Sequence, residues 1–281
     1  MVTRLGPVGL GFELGDELRE VGDGWIERDL YVPRGLDGPE GVLQGGFAVG
    51  LAGPVAHELD TTGAQLTSID GRLHAPTPLG RDLSVRARPL PGAGRYEVQT
   101  RDGASLLVAS TVELAGHEVG APPADLVELG QVPVPAAQPQ EAFPRCFVCG
   151  PHPTHELALR LHPHPVGPDA VSIPVVFDDG LADGDRVDVL AVSAVLDCPG
   201  VWASYDYVRS IGHQGALLGG FRLTFFRDVP LMEPLRAVGR LDTTDGRKIR
   251  ARVGLVDDDG VCYAMSSGLH LSVAEIPAPP A

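Results

Sequence analysis

The stretch Gly41–Leu59, GVLQGGFAVGLAGPVAHEL, sets a glycine doublet, Gly45 and Gly46, at the head of a mostly apolar run. Phe47, Val49, Leu51 and Val55 leave that run no polar face, and a helix without one is buried on all sides. At roughly 16 residues it makes a helix about 24 Å long, enough for an antiparallel sheet to wrap around it. The doublet has three candidate uses: cradling a phosphate, meeting a carbonyl with open helix-start amides, or letting the helix pass close to the sheet. Neither a P-loop lysine nor the full Gly-x-Gly-x-x-Gly pattern follows, so the phosphate use falls away.

Outward from the helix the chain alternates with a period of two. An opening strand lies near Trp25–Tyr31, and after the helix come QLTSIDGRLHA, DLSVRARPL, RYEVQTRDG and SLLVASTVEL, punctuated by Pro76, Pro78, Gly80, Gly92, Gly94 and Gly103. The same order returns later: AVSIPVVF, the apolar VDVLAVSAVLDCPGVWASY with Leu190, Val192, Val195 and Val201, then ALLGGFRLTFF, PLRAVGRLDT, KIRARVGLVD and VCYAMSSGLHLSV. LAGPVA at Leu51 is echoed by LDCPGVWA at Leu196, and PLGRDLSVRAR at Pro78 by PLMEPLRAVGR at Pro230, offsets of 145 and 152 residues. So long a period predicts duplicated domains and not a solenoid. Between the copies, proline-rich residues 116–142 read as a linker, giving an N-terminal unit at 1–115 and a C-terminal unit at 143–281. Each unit is α+β, an antiparallel sheet wrapped around a central helix, and their exposed edge strands are expected to join, so that the chain is its own pseudo-dimer.

Composition narrows the function classes. The 281-residue chain carries a formal charge of -15 with Lys248 as its one lysine, which argues against nucleic acid, whose phosphates are met by Lys and Arg. No apolar run reaches the roughly 20 residues of a membrane helix. No export leader is visible at the start, and Cys146 and Cys149 are too close in sequence for a disulfide framework, so a cytoplasmic location is expected.

The helix opening VLQGGFAVGLAGPVA is similar to the glycine-pair helix start of acyl-CoA thioesterases of the long, double-hotdog kind. SIDGRLHAPTPLG and DGASLLVASTVEL fit their later strands, and CFVCGP with LDCPGVWA resembles a bacterial branch of the thioesterase superfamily. The resemblance implies two tandem hotdog domains, an acyl-CoA or other acyl thioester as partner, a role in fatty acid metabolism, and no cofactor. Self-association beyond the internal pairing is left open.

Thioester hydrolysis needs a polarised carbonyl and a carboxylate that attacks it or activates water. The amides of Gly45, Gly46 and Phe47 lack intrahelical acceptors, and Gln44 adds a side-chain amide, so these four form the candidate electrophilic half. Asp197 is a lone carboxylate in the second apolar segment, and burying it requires a partner. The resemblance places a carboxylate about nine residues into this helix, where Asp197 stands counting from Asp188; the first helix has Gly53 there. It implies one composite site per chain, Gln44 and the glycine amides facing Asp197, with Ser193 ordering a water one turn earlier. The other reading makes Asp197 a cap of a helix broken at Pro199 and Gly200. Long thioesterases also carry a hydroxyl and a glutamine on later strands. The matching places hold Ser68 and Glu113 in the first copy, Gly219 and Leu269 in the second, so the triad is complete in neither. A non-catalytic acyl-binding protein and a hotdog hydratase or dehydratase are the alternatives, the latter poorly matched by His57 with Glu58.

Two further groups carry weaker signals. Cys146-x-x-Cys149 with His152 and His155 behind it suits half of a tetrahedral zinc site, or equally a loop of packed cysteines, and no metal is assigned. Arg72, Arg81, Arg86 and Arg88 are the densest basic group, available to the phosphates of coenzyme A or simply a solvated face. His74, before a proline-rich turn, reads as structural.

Overall fold

The computed structural model describes residues 2–115, 120–137 and 141–276. The N-terminal strands are β1 (Val2–Leu5), β2 (Phe12–Gly15), β3 (Arg19–Glu20), β4 (Ile26–Val32), β5 (Leu66–Leu73), β6 (Arg81–Pro89), β7 (Arg95–Asp102) and β8 (Ser105–Leu114). Those that follow are β9 (His164–Gly167), β10 (Ala170–Val175), the short pair β11 (Ala182–Asp183) and β12 (Arg186–Val187), then β13 (Gly215–Phe225), β14 (Leu235–Asp245), β15 (Lys248–Asp257) and β16 (Cys262–Val273). The helices are α1 (Gly45–Gly50), α2 (Ala52–His57), α3 (Ala124–Gly130), α4 (Val189–Val195), α5 (Cys198–Ala203) and α6 (Tyr205–Ser210).

Among the described residues, fourteen strands form one sheet in the order β1-β2-β4-β6-β7-β8-β5-β13-β16-β15-β14-β10-β9, with β3 on β4. The run β4-β6-β7-β8-β5 has its counterpart in β10-β14-β15-β16-β13, and the two meet where β5 pairs antiparallel with β13, Ser68 opposite Thr224 and Arg72 opposite Gly220. That edge-to-edge join removes two exposed edges at once. The alternating segments read from the sequence fall within a few residues of β4 to β8, β10 and β13 to β16. β1, β2 and β9 extend the outer ends of the sheet and were not among them.

Each apolar run is two short helices in place of one long helix. Pro54 and Pro199 have no N–H to continue the ladder. The bonds beside the second break tighten to three-residue spacing, with Asp197 N–H donating to the Ala194 carbonyl and Gly200 N–H to that of Asp197. α2 lies against β5, β7 and β8, α5 against β10, β14 and β15, and α1 crosses α4 between them. The crossing is close because it is made of glycine. A Cβ on Gly46 would stand 2.1 Å from the Ser193 carbonyl oxygen, and one on Gly50 2.7 Å from Ser193 Oγ. Phe47 fills the space beyond, 6.0 Å from Phe12 and 5.0 Å from Phe147 between ring centroids, so one core runs through both halves.

Of the proline-rich segment, residues 116–119 and 138–140 lie outside the described residues. The rest is more ordered than its composition predicts. α3 begins after Pro123 and ends before Pro133, so the prolines flank it and do not interrupt it. It packs on β14 and β15 with Leu126 buried against Val238 and Val256, and Asp125 accepts from Arg252 at 2.9 Å and Arg240 at 3.1 Å.

Asp188 caps α4, its Oδ1 accepting from Leu190 N–H at 2.7 Å. Burial raises its carboxyl from 3.8 to about 7. Between those values the folded chain keeps a proton that the unfolded chain has lost, so this group takes stability away as pH rises through the window. Asn caps as well as Asp and does not titrate. Asp188→Asn is therefore expected to gain stability relative to the parent between about pH 4 and about pH 7, by roughly 1–4 kcal/mol. Urea midpoints at both ends measure it, and a difference constant with pH would mean that Asp188 stays ionised.

Candidate active site

A mainly apolar cavity of about 270 Å³ opens where the start of α1, the start of α5, β13 and the turn at Cys146–Cys149 meet. Its walls include Gln44, Gly45, Asp197, Cys198, Trp202, Leu218 and Gly219, with His74 and Arg247 also on the lining. Gly219 sits at a register shift in β13, an extra residue that bends the strand beside the site.

Gln44 is the N-cap of α1. Its Oε1 accepts from Phe47 N–H at 3.1 Å, which fixes the amide's orientation and turns Nε2 toward the second half of the chain. There Nε2 donates to Asp197 Oδ2 at 2.8 Å and to the Ala194 carbonyl at 3.1 Å. Gly46 N–H donates to the same Asp197 oxygen at 3.2 Å. The other oxygen, Oδ1, lies 3.3 Å from His270 Nε2. Oδ2 thus has two donors and Oδ1 faces an imidazole nitrogen, polar partners of the kind that burial of this group requires.

Asp197 occupies the N-cap position of α5 but makes no capping bond with its side chain. The carboxylate turns away from its own helix toward α1, so the capping reading does not describe it. Gly45 explains the approach: a Cβ there would stand 2.9 Å from Asp197 Oδ2. As the first amide of the helix it has no intrahelical acceptor, and it lines the cavity.

The other residues anticipated from the sequence lie elsewhere. Phe47 contributes its amide to the Gln44 cap and its ring to the core. Ser193 is fully buried at the helix crossing, its Oγ donating to the Val189 carbonyl at 2.6 Å; it is absent from the cavity wall, which corrects the water-ordering expectation. Ser68 Oγ donates to Glu113 Oε2 at 3.1 Å across β5 and β8, apart from Asp197. Arg86 and Arg88 both lie over the Trp25 ring, at 4.5 and 4.4 Å from its centroid, and bond Gln99 and Glu97. Arg81 pairs with Asp102. The arginine on the cavity wall is instead Arg247, braced by its bond to the Ser272 carbonyl at 2.9 Å.

His270 escaped the sequence reading, although a signal was present. β16 alternates buried and less buried positions from Cys262 to Val273, and His270 falls on the buried phase with Ser266 and Ser272. A polar residue in that phase needs a partner inside. The imidazole lies in a slot that Cβ atoms on Gly200 and Gly268 would fill, at 2.9 and 2.6 Å from its Cε1. Its Nδ1 is buried with no partner.

Cys198 lies 3.7 Å from Cys146 Sγ and 3.8 Å from Gln44 Nε2. The thiols of Cys149 and Cys198, then the backbone of Cys149 and Val148, hold the Cys146 thiol well below its ordinary range despite burial. The histidines named with the cysteine pair are not beside it: His155 packs on the Phe147 ring and accepts from Leu157 N–H at 3.2 Å, while His152 is exposed.

Comparison with known proteins locates this arrangement. No protein-family model matches the sequence, and no curated protein does. Solved structures do match over nearly the whole chain. Acyl-CoA thioesterase II TesB2 from Mycobacterium marinum is 14% identical, with 94% of this chain and 97% of that one covered and a TM-score of 0.60. A conserved protein of unknown function with hot dog fold from Alicyclobacillus acidocaldarius is 14% identical over 93% and 97%, TM-score 0.60. The dehydratase domain of the CurK module of curacin polyketide synthase is 14% identical over 96% and 99%, TM-score 0.62. The wrapped sheet and paired helices described above are therefore a hotdog fold.

Proposed function

We propose that the chain is an acyl-CoA thioesterase-like hydrolase built of two tandem hotdog units, 1–115 and 143–281, joined through 116–142. The observation that carries this reading is the Asp197 carboxylate, from the second unit, held by Gln44 and Gly46 at the helix start of the first, on the wall of an apolar cavity. Asp197 acts as base toward water or as nucleophile toward the thioester carbonyl. Both Nε2 hydrogens of Gln44 are already engaged, so Gln44 and Gly46 position Asp197, while Gly45, on the cavity wall, offers its amide to the carbonyl oxygen. Water adds to the carbonyl, its proton passes to the carboxylate, and the thiolate of coenzyme A leaves and is protonated. The acyl chain lies along the apolar wall, and Arg247 meets a phosphate of the carrier.

One observation favours a second reading. His270 on Asp197 is a histidine–carboxylate pair, the kind of couple a hydratase or dehydratase uses for its two proton transfers, and the likeness to a dehydratase domain supports it. A single set of assays separates the readings. Offered acyl-CoAs of several chain lengths, the purified chain is expected to release thiol; offered 3-hydroxyacyl and enoyl thioesters, it is expected to leave the double-bond absorbance unchanged. Change in that absorbance without thiol release would give the chain to the dehydratases. A ligand-induced rise in Tm with neither reaction would leave an acyl-thioester binding protein.

A further inference from the structure

Three of the four cysteines meet at one place. Cys146 and Cys149 come from the turn that follows the proline-rich segment, Cys198 from the first residue of α5, and their Sγ atoms all lie within 4.8 Å of one another. All three are buried, and all three line the cavity beside Asp197. Cys262, the fourth, belongs to the separate cluster under α3.

The turn itself is built to present sulfur. Gly150 N–H donates to the Cys146 carbonyl at 2.9 Å and closes it. Gly150 has no room for a side chain, since a Cβ would stand 2.6 Å from the Cys146 nitrogen, the Cys146 oxygen and the Pro144 oxygen. The backbone of Val148 and Cys149 hydrogen-bonds to the Cys146 sulfur. The closed turn thus holds two sulfurs of one short segment against the sulfur at the head of α5, on the wall of the cavity.

The spacing discriminates among uses of such a cluster. Sulfur atoms joined in a disulfide stand about 2.05 Å apart. Thiolates about 2.3 Å from a common zinc ion in tetrahedral array stand about 3.8 Å from one another. Cys146 and Cys198 are 3.7 Å apart. We propose that Cys146, Cys149 and Cys198 form a three-thiolate site for one thiophilic divalent ion, of which zinc suits the donors and geometry best. The fourth corner opens on the cavity and is taken by water or by an arriving ligand, as at zinc sites that keep an open position. The ion ties the turn after the proline-rich segment to the residue beside Asp197, and its binding releases the thiol protons.

The test uses the full chain and reads metal directly, so its failure and failure of the proposed catalysis are seen separately. Elemental analysis after purification without chelator is expected to find about one zinc ion per chain, and Co²⁺ added after stripping is expected to give the near-ultraviolet charge-transfer band of thiolate ligation. Cys146→Ser, Cys149→Ser and Cys198→Ser should each weaken Co²⁺ binding by more than the ~10–100-fold that loss of a supporting partner costs, and Cys262→Ser should leave it unchanged. Should the single variants fold poorly, the parent alone decides: chelator is expected to lower its Tm and zinc to restore it. A metal-free parent that takes up no Co²⁺ with its thiols reduced, a disulfide between two of the three cysteines in the chain as purified, or a band that survives Cys198→Ser would each overturn the proposal.

Discussion

Asp197→Asn is expected to lower kcat/KM for thioester turnover by roughly 10²–10⁴-fold, the range that a positioned acid–base group supplies, while the chain stays folded. The substitution keeps the shape of the side chain. The amide oxygen can still accept from Gln44 Nε2 and Gly46 N–H, whose bonds to the carboxylate are 2.8 and 3.2 Å. What it removes is the charge and the basic oxygen. Asn therefore isolates chemistry from packing better than Ala, which would leave the donors around Asp197 unsatisfied and add an unrelated cost. A denaturant midpoint within about 1–2 kcal/mol of the parent together with the large rate loss is the expected pair of results. An Asn variant as active as the parent would remove Asp197 from both catalytic readings, since hydrolase and dehydratase alike depend on that carboxylate.

Gly46→Ala is expected to cost about 3 kcal/mol or more of stability, at or beyond the upper end of ordinary overpacking. The added methyl group would meet the Ser193 carbonyl oxygen at 2.1 Å and Ala194 Cα at 2.7 Å. Both are backbone atoms of α4 and cannot rotate away, so α1 and α4 have to separate and loosen the core between the halves. Gly45→Ala provides the contrast. Its methyl group would meet Leu218 Cδ2 at 2.8 Å and both Asp197 Oδ2 and Leu218 Cβ at 2.9 Å; the two side-chain ends can rotate away, whereas the Leu218 Cβ moves only with its strand. That variant should lose less stability than Gly46→Ala and lose turnover, because one of the groups that yields is the carboxylate. Urea unfolding and kcat measured on both variants check the division; a Gly46→Ala protein within about 1 kcal/mol of the parent would mean that the crossing is more plastic than its geometry allows.

The two glycines thus answer different parts of the question that the doublet posed. Gly46 lets one helix pass against the other, and the close neighbour is α4 and not the sheet. Gly45 leaves space for a carboxylate from the opposite half. No spacing in the sequence separates those two duties, because the residues that distinguish them are Ser193 and Asp197, some 150 positions away.

No helix among the described residues is long and apolar enough to cross a membrane. The cationic side chain at the cavity is Arg247, whereas the arginine-rich strands around Arg86 and Arg88 spend their charge on Trp25, Gln99 and Glu97 within their own sheet. Local density of arginine could not reveal this, because alternate residues of a strand point to opposite faces.

What the sequence by itself determined was local and periodic. The strand segments follow from the period of two and from the turns that bound them, the buried helices from runs without a polar face, and the repeated order of elements from echoes such as LAGPVA and LDCPGVWA. Asp197 could be singled out there because a lone carboxylate in an apolar run is costly wherever the chain puts it. Only the tertiary structure decided what answers that cost. Gln44 lies 153 positions from Asp197, His270 lies 73 away on β16, and Cys146 reaches Cys198 across 52 residues. Contacts so distant leave no periodicity in the chain; they exist because β5 pairs with β13 and α1 crosses α4, bringing two separately legible halves to one wall.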